Sequence, residues 1–375
     1  MLIDSYGRQI RDLRVSLTDR CNFRCFYCLP DGEPPLARKD TILTFEEIVV
    51  VCEIFVSLGI EKIRLTGGEP LLRKDVESLV EKIARLKTEG RASRVPSPEP
   101  LQITDYELPT ENRGISSLKS AIEKLNAKSE IRDPKLKDLA LTTNGFSLAR
   151  RAAALKKAGL DRVTVSLDSL KPENFKKITG VDKLAEVLEA IDAAKSAGLD
   201  PVRVNAVVVR GWNDDELVEL ARFARENAVS MRFIEYMPLD SKREWDKNLI
   251  VPGREIYRKI NEAFPLALKE TSRGSETAWK YAFADGAAGE IGIIAPVTEM
   301  FCGACSRVRL TADGQIRTCL FSTKEYNLRD RLRGGASRAE IAEFIREVVY
   351  QKEPRHYIND ASFAPASRSM SFIGG

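Results

Sequence analysis

Short apolar strands and amphipathic helices alternate along the chain up to about Pro238. This repetition predicts a parallel sheet whose strands are joined by helical crossovers. Glycine and polar motifs follow the strand ends, which favours an α/β fold of the incomplete (β/α)6 TIM type, with its active site at the carboxyl mouth of the strands. The strands are predicted at 13–18, 61–66, 138–143, 162–167, 201–209 and 229–236.

Helices are predicted between these strands and again near the end of the chain. Thr44 with Glu47, and Asn213 with Glu216, have the spacing of a capping box, which predicts a helix start at each place. The helical stretches lie at 44–58, 74–87, up to 158, 172–179, 182–197, after 213, 252–264 and 337–349.

Residues 88–137 interrupt the alternation with prolines and many polar side chains. We predict an irregular, partly disordered surface insertion there, with a short helix at 115–126. The periodicity ends near residue 240, and residues 266–320 are predicted to be irregular and partly β. The chain is therefore divided into a barrel at 1–240 and a C-terminal region at 241–375.

Composition narrows the classes of function. The 375 residues carry a formal net charge of only +4, which argues against a nucleic-acid-binding protein. No run of about 18 apolar residues or secretory signal is present, so we expect a cytoplasmic protein without a membrane span. Six of the seven cysteines fall in two tight clusters, which indicates metal or cluster ligation in a reducing compartment. The seventh, Cys52, lies in an apolar helical run and is predicted to be a core residue.

The first cluster places Cys21, Cys25 and Cys28 in a C-x3-C-x2-C spacing directly after a predicted strand. Three thiolates in one short loop can hold a [4Fe–4S] cluster and leave one iron open for chemistry. A zinc site would need a fourth nearby ligand, and His356, the sole histidine, is distant in sequence. The Gly67-Gly68-Glu69-Pro70 turn follows the next strand, where its backbone can approach a ligand closely.

The second cluster consists of Cys302, Cys305 and Cys319. Taken alone, these residues leave a second [4Fe–4S] cluster and a structural zinc ribbon about equally favoured. Arg307 and Arg309 follow at a spacing of two, so on an extended segment both guanidinium groups face the same side. Such a pair suits a phosphate-bearing ligand, because arginine binds phosphate oxygens bidentately.

Together these motifs resemble a known family. The cysteine loop and the Gly-Gly-Glu-Pro turn on a βα barrel are similar to the radical S-adenosylmethionine (SAM) superfamily. Further segments resemble the GTP 3′,8-cyclase family of molybdenum cofactor biosynthesis, over nearly the whole chain except residues 88–137. These segments are GRQIRDLRVSLTDRCNFRCFYC, LTTNG, VTVSLD, RFIEYMP, FCGACSRVRLTADGQIRTCLF and the terminal Gly-Gly.

The resemblance implies a lyase that converts GTP to (8S)-3′,8-cyclo-7,8-dihydroguanosine 5′-triphosphate, using SAM and two [4Fe–4S] clusters. The two cysteine sets would hold one cluster each. The implied SAM contacts are Tyr27, Gly68, Ser166 and Met237. The implied GTP contacts are Arg14, Arg64, Thr142, Arg203, Arg307, Val308 and Arg309. The implied catalytic residues are Arg14, Arg307, Arg309 and a terminal finger formed by Gly374 and Gly375.

The chain departs from the family at Arg203, where lysine is expected, so a planar fork replaces a point charge. The family further implies a homodimer and a following cyclic pyranopterin monophosphate synthase, whereas the electron donor is not indicated. Two other functions stay open: a peptide-modifying radical SAM enzyme with an auxiliary cluster, and a non-catalytic iron–sulfur or zinc sensor.

Overall fold

The computed structural model describes residues 1–29, 36–88, 135–239, 245–361, 363–365 and 368–374. A small hairpin of β1 (Leu2–Ile3) and β2 (Gln9–Ile10) precedes the main sheet. The six predicted barrel strands are all present and pair in parallel in chain order. They are β3 (Asp12–Ser16), β4 (Lys62–Thr66), β5 (Asp138–Thr143), β6 (Arg162–Ser166), β7 (Arg203–Val208) and β8 (Ser230–Glu235).

Helices connect these strands, close to the predicted positions. They are α1 (Phe45–Ser57), α2 (Val76–Ala84), α3 (Ala152–Lys157), α4 (Pro172–Thr179), α5 (Leu184–Ser196) and α6 (Leu217–Asn227). The capping box of Thr44 and Glu47 at the start of α1 is confirmed. The predicted box at Asn213 and Glu216 is wrong, since no side chain caps α6. Glu216 instead accepts hydrogen bonds from Ser169 and Asn174, because these tertiary donors reach its buried carboxylate.

The C-terminal region adds strands and helices to the same body. These elements are α7 (Gly253–Ala263), β9 (Leu266–Leu268), β10 (Trp279–Phe283), β11 (Glu290–Ile294), β12 (Arg307–Leu310), β13 (Gln315–Arg317), β14 (Tyr326–Asn327), α8 (Arg329–Arg333), α9 (Arg338–Tyr350) and α10 (Met370–Ile373). The predicted helix after residue 336 is therefore α9, which begins with a capping box at Ser337 and Glu340.

Strands of the C-terminal region extend the barrel at both edges, which the sequence did not predict. β12 pairs in parallel with β3, and β11 pairs in parallel with β8. In the described part of the chain the sheet has twelve strands in the order β14-β13-β12-β3-β4-β5-β6-β7-β8-β11-β10-β9. The end strands β14 and β9 do not pair with each other in the described structure. The predicted open α/β barrel is therefore confirmed, but its run of parallel strands is wider than the six predicted.

Side-chain alternation along the strands determines what faces the barrel interior. Leu13 and Val15 of β3 are buried in the core, and so are Ile63 and Leu65 of β4. The residues between them therefore point to the opposite face, toward the interior. The barrel is thus lined by polar and charged side chains, while the apolar core lies between the sheet and its helices.

The insertion predicted at 88–137 cannot be compared in detail, because residues 89–134, including the predicted helix at 115–126, lie outside the described residues. Among the helices that are described, none combines the length and the apolar character needed to cross a membrane.

Candidate active site

A cavity of about 380 Å³ inside the barrel is lined by both sets of cysteines. Cys21, Cys25 and Cys28 lie at its carboxyl mouth, in the loop after β3. Cys302, Cys305 and Cys319 come from the C-terminal region, around β12 and β13. The two sets are far apart in sequence, yet they line one cavity.

The loop of the first set is held by its own backbone and by α4. Cys28 donates its backbone N–H to the Cys25 carbonyl at 2.9 Å, and Phe26 donates to the Ile178 carbonyl at 3.1 Å. Burial raises the pKa of the Cys28 thiol to about 12, and the nearby Cys21 adds to the effect. Burial also raises the pKa of Cys25 well above its usual range, with further contributions from Asp168 and the other two thiols. All three cysteines line the same cavity.

The Gly67-Gly68 turn lies directly beside this loop. A Cβ at Gly68 would collide with the Arg20 carbonyl, and Gly67 has a φ of +133° that side-chain-bearing residues rarely adopt. The N–H groups of Gly68 and Glu69 donate to the carbonyls of Thr18 and Arg20, both at 2.7 Å. Only glycine therefore allows the turn to approach the cysteine loop this closely.

Glu69 and Asn144 form a buried network that sequence reasoning missed. Glu69 accepts hydrogen bonds from Leu71 N, Thr143 Oγ1 and Asn144 N. Asn144 Nδ2 in turn donates to Cys21 Sγ at 3.8 Å and to Asn22 Oδ1 at 2.8 Å. Burial raises the pKa of Glu69 to about 7. The network ties the end of β5 to the Gly-Gly turn and to a predicted cluster ligand. Asn144 directly follows the predicted strand 138–143, and this position was the signal that the sequence offered.

The residues predicted to contact SAM line the same cavity as the first set. They are Tyr27, Gly68, Ser166 and Met237. Tyr27 donates its hydroxyl to Asp168 Oδ2 at 2.6 Å. Asp168 is buried, and burial raises its pKa to about 6. Two buried carboxyl groups, those of Glu69 and Asp168, therefore lie at this end of the cavity.

The second set has a cationic environment. Burial raises the pKa of the Cys305 thiol, but the positive charges of Arg307 and Lys352 outweigh it and lower the pKa to about 7. Lys352 Nζ donates to the carbonyls of Arg307 and Thr318. His356, distant in sequence, comes into contact here: its backbone N–H lies 3.5 Å from Cys302 Sγ, and its side chain lines the cavity.

Three arginines stand side by side on adjacent strands. Strand register places Arg309 opposite Arg14 and Arg14 opposite Arg64. Burial lowers the pKa of Arg14 well below its usual range, and the charges of Arg309 and Arg307 add to this. The pKa of Arg309 falls to about 10, again through burial and then Arg307. Like charges at paired strand positions repel, so this row favours an anionic ligand.

Further arginines extend this row, and we call the whole set the arginine wall: Arg14, Arg64, Arg162, Arg203, Arg232, Arg307 and Arg309. Sequence reasoning missed Arg162 and Arg232. Burial, then Arg232 and Arg162, lower the pKa of Arg203 to about 9. Arg162 pairs with Asp138 through Nε and Nη2. Its Nη1, and likewise Arg203 Nε, Arg232 Nε and Arg232 Nη2, are buried atoms with no hydrogen-bond partner in the described structure. Arg64 Nη1 donates to Thr142 and Thr164. Unpaired buried donors are costly, and phosphate oxygens of a bound nucleotide would pair with them.

The C-terminal segment reaches this wall. The Gly374 carbonyl accepts a hydrogen bond from Arg309 Nη1. A Cβ at Gly374 would collide with Ser16 Oγ, so the backbone there lies tightly against β3. Gly375 lies outside the described residues. Val308 is buried in the core and pairs with Leu13 in the β12–β3 ladder. It is not among the described residues that line the cavity.

Comparison with known proteins agrees with this fold. Residues 15–224 match the Radical SAM superfamily, and residues 229–358 match Molybdenum Cofactor Synthesis C. The chain superposes on Streptococcus suis SuiB, solved in complex with its precursor peptide SuiA, with a TM-score of 0.56 at 13% identity. The superposition covers 97% of this chain and 76% of that one. The fold and the first match define a radical SAM protein, a class that implies a [4Fe–4S] cluster and SAM.

Full-length relatives define the family within that class. A GTP 3′,8-cyclase of Streptomyces coelicolor is 42% identical over 100% of this chain and 96% of its own length. A GTP 3′,8-cyclase of Corynebacterium glutamicum is 41% identical over 100% of this chain and 89% of its own length. The chain belongs to the GTP 3′,8-cyclase family.

Proposed function

We propose that this chain binds GTP with its triphosphate on the arginine wall and converts it to (8S)-3′,8-cyclo-7,8-dihydroguanosine 5′-triphosphate. This is the first step of molybdenum cofactor biosynthesis. The observation that carries the proposal is the shared cavity, which is lined by both sets of three cysteines and by a wall of buried and half-buried arginines. Family membership supports the substrate and the reaction.

The donor sets fit the groups that the function requires. Each set offers three thiols and lines the cavity, which suits a [4Fe–4S] cluster with one iron free of protein ligands. Cys21, Cys25 and Cys28 would hold the first cluster, and Cys302, Cys305 and Cys319 the second. When bound, the first cluster and SAM would supply a 5′-deoxyadenosyl radical able to take the hydrogen from C3′ of the ribose.

The chain's own residues bind and orient the two ligands. Tyr27, Gly68, Ser166 and Met237 hold SAM at the first set. Arg14, Arg64, Thr142, Arg203, Arg307, Arg309 and the main chain at Val308 hold GTP, together with the newly found Arg162 and Arg232. Because the triphosphate is anchored from several strands, C3′ and C8 of the nucleotide are held within reach of each other. Binding inside the barrel cavity also shields the reactive intermediates from water.

Arg203, which replaces an expected lysine, keeps the positive charge of this wall. Gly374 connects the C-terminal finger to Arg309, and Gly375 extends it by one residue. A homodimer, and transfer of the product to cyclic pyranopterin monophosphate synthase, complete the proposal as the family implies them.

The test is anaerobic reconstitution with iron and sulfide, followed by dithionite, SAM and GTP. We expect about eight irons per chain, 5′-deoxyadenosine and a cyclised GTP product. Formation of neither compound by a fully reconstituted protein would contradict the proposal. Binding of zinc in place of iron would favour the sensor function instead.

A narrower test uses Arg307→Ala and Arg309→Ala. Each should weaken GTP binding by about 10- to 100-fold, the loss expected for a charge-assisted hydrogen bond, while the first cluster and SAM binding stay intact. Unchanged GTP affinity in both variants would refute the role assigned to these two arginines.

A further inference from the structure

The C-terminal segment 368–374 is held to the body of the protein by ion pairs at its first residue. Arg368 Nη1 donates to both carboxylate oxygens of Asp313, at 3.0 and 2.9 Å. Arg368 Nε lies 3.0 Å from Glu325 Oε2. The same guanidinium group lies over the Phe372 ring, with 5.0 Å between Cζ and the ring centroid. One side chain therefore joins two carboxylates to the helix that follows it.

Both carboxylates are held in place by partners of their own. Asp313 is buried in the turn between β12 and β13, where it accepts a hydrogen bond from Thr311 Oγ1 at 2.6 Å. Glu325 is paired at 2.7 Å with Arg317, whose side chain is buried. Opposite charges thus alternate along Arg317, Glu325, Arg368 and Asp313, and we call these four residues the C-terminal clamp. Because most of the clamp is withdrawn from water, salt screens it less than an exposed ion pair.

The segment beyond the clamp cannot hold its position by itself. It consists of α10, which has only four residues, and of Gly374, whose N–H donates to the Met370 carbonyl at 2.9 Å. A helix this short is unstable in isolation, so its place depends on contacts with the rest of the protein. Ser371, Phe372 and Ile373 are buried, which shows that the segment is packed against the body and not merely tethered to it.

In this position the segment contacts functional residues of both cysteine-lined ends of the cavity. The backbone N–H of Ser371 forms a hydrogen bond with the Cys28 thiol, and this partly offsets the rise in the pKa of Cys28 that burial and Cys21 cause. The Gly374 carbonyl accepts a hydrogen bond from Arg309 Nη1. Arg309 is one of the proposed GTP contacts, so the position of the segment determines the orientation of a guanidinium group that faces the substrate.

We propose that Arg368 is a positioning residue for the reaction: through the C-terminal clamp it holds the segment so that the Gly374 carbonyl orients Arg309 toward the triphosphate. Arg368 is not among the described residues that line the cavity, so it acts through Gly374 and Arg309 and does not touch GTP. An arginine that is already oriented loses less side-chain freedom when its ligand binds. This inference rests on the proposed function, because it assigns Arg309 to GTP.

The first measurement is hydrogen exchange of the reconstituted full-length chain without GTP, followed by mass spectrometry of peptides that cover 369–374. In Arg368→Met, and separately in Asp313→Asn, the amides of this segment should exchange about tenfold faster or more, because the clamp no longer holds it. The matched control is Arg210→Met. Arg210 donates to both carboxylate oxygens of Glu255, at 3.2 and 2.8 Å, in a pair that does not involve the segment. Exchange at 369–374 should not change in the control.

The second measurement is GTP binding to the reconstituted chain by calorimetric titration. Arg368→Met should weaken binding by about 3- to 10-fold, the loss expected when one long side chain must be ordered by its ligand. Arg368→Lys keeps the charge beside Asp313 and should lose less than about twofold. In an Arg309→Ala background, Arg368→Met should change the affinity by less than about twofold, because the group that the clamp orients is gone. Iron content should be the same in all variants.

Unchanged exchange at 369–374 in folded Arg368→Met would overturn the inference. So would an undiminished loss of GTP affinity in the Arg309→Ala background, or an equal loss in Arg210→Met, since either would indicate general damage to the structure. If Arg368→Met does not fold, Asp313→Asn takes its place in both measurements. Failure of the proposed function would appear separately, as absence of cyclised GTP from the unmodified chain, whereas the faster exchange of the Arg368 variant would still be seen.

Discussion

The two cysteine sets have the same number of thiols but different electrostatic surroundings. Near the first set lie two buried carboxyl groups, Glu69 and Asp168, and its thiol pKa values are raised by burial. Near the second set lie Arg307 and Lys352, which lower the pKa of Cys305 to about 7. A sulfonium cofactor carries a positive charge and a triphosphate is strongly negative. The contrast supports the proposed placement of SAM at the first end of the cavity and of GTP at the second.

The largest expected effect comes from removing one set and keeping the other. Cys302→Ala with Cys305→Ala should abolish GTP cyclisation and halve the iron content, while SAM is still cleaved to 5′-deoxyadenosine. Iron analysis and product chromatography check this. The matched variant, Cys21→Ala with Cys25→Ala, should abolish both products. If loss of the second set also stopped SAM cleavage, the two ends would not be separate in function.

Replacement of Arg14 tests the positively charged end of the cavity, where the second cysteine set lies. Arg14→Met should weaken GTP binding by about 30- to 150-fold, which corresponds to about 2–3 kcal/mol for a buried charged contact. Without ligand, the same change should stabilise the protein by about 1–2 kcal/mol, because it removes a buried like charge beside Arg309 and Arg64. Calorimetric titration and thermal unfolding measure the two effects, with exposed Arg254→Met as the control. A variant that is destabilised without GTP would contradict the repulsion.

Gly374 tests whether the C-terminal segment must lie against the arginine wall. Gly374→Ala should lower the rate of cyclisation by about tenfold, since the new methyl group meets Ser16 Oγ and the residue has a φ of +78°. Gly335→Ala is the matched control, because Gly335 has a similar φ of +83° but open space around its Cα. Equal rates for the two variants would mean that backbone strain, rather than contact with β3, explains any loss.

The smallest expected effect is on the reduction potential of the first cluster, at the end of the cavity where Glu69 and Asp168 lie. Asn144→Ala removes an N–H···S contact to Cys21 worth about 1 kcal/mol, which should lower the reduction potential of the first cluster by about 40 mV. The sign follows because a donor to sulfur stabilises the more negative, reduced state. Asn22→Ala, which removes the other acceptor of Asn144, should leave the potential nearly unchanged. Electron paramagnetic resonance titration measures both.

Much of the prediction depended on the spacing of residues within short segments of the sequence. Cys21, Cys25 and Cys28 lie within eight residues, and the glycine turn follows a strand end, so neither needed the fold to be recognised. The six barrel strands followed from strand–helix periodicity for the same reason. The exceptions were local patterns with stronger distant partners, such as Asn213 and Glu216, whose side chains bond to tertiary neighbours instead of capping α6.

The sequence by itself determined the barrel strands and both cysteine sets, since these depend on short-range order. Its motifs also resembled the family that the full-length relatives show. The tertiary structure alone decided that β11 and β12 join opposite edges of the sheet, which brings Arg309 into register with Arg14 and Arg64. It also decided that Asn144 reaches Cys21 and that Trp212 stacks on Phe26. Such contacts depend on strand register and on packing between distant segments, which no local pattern specifies.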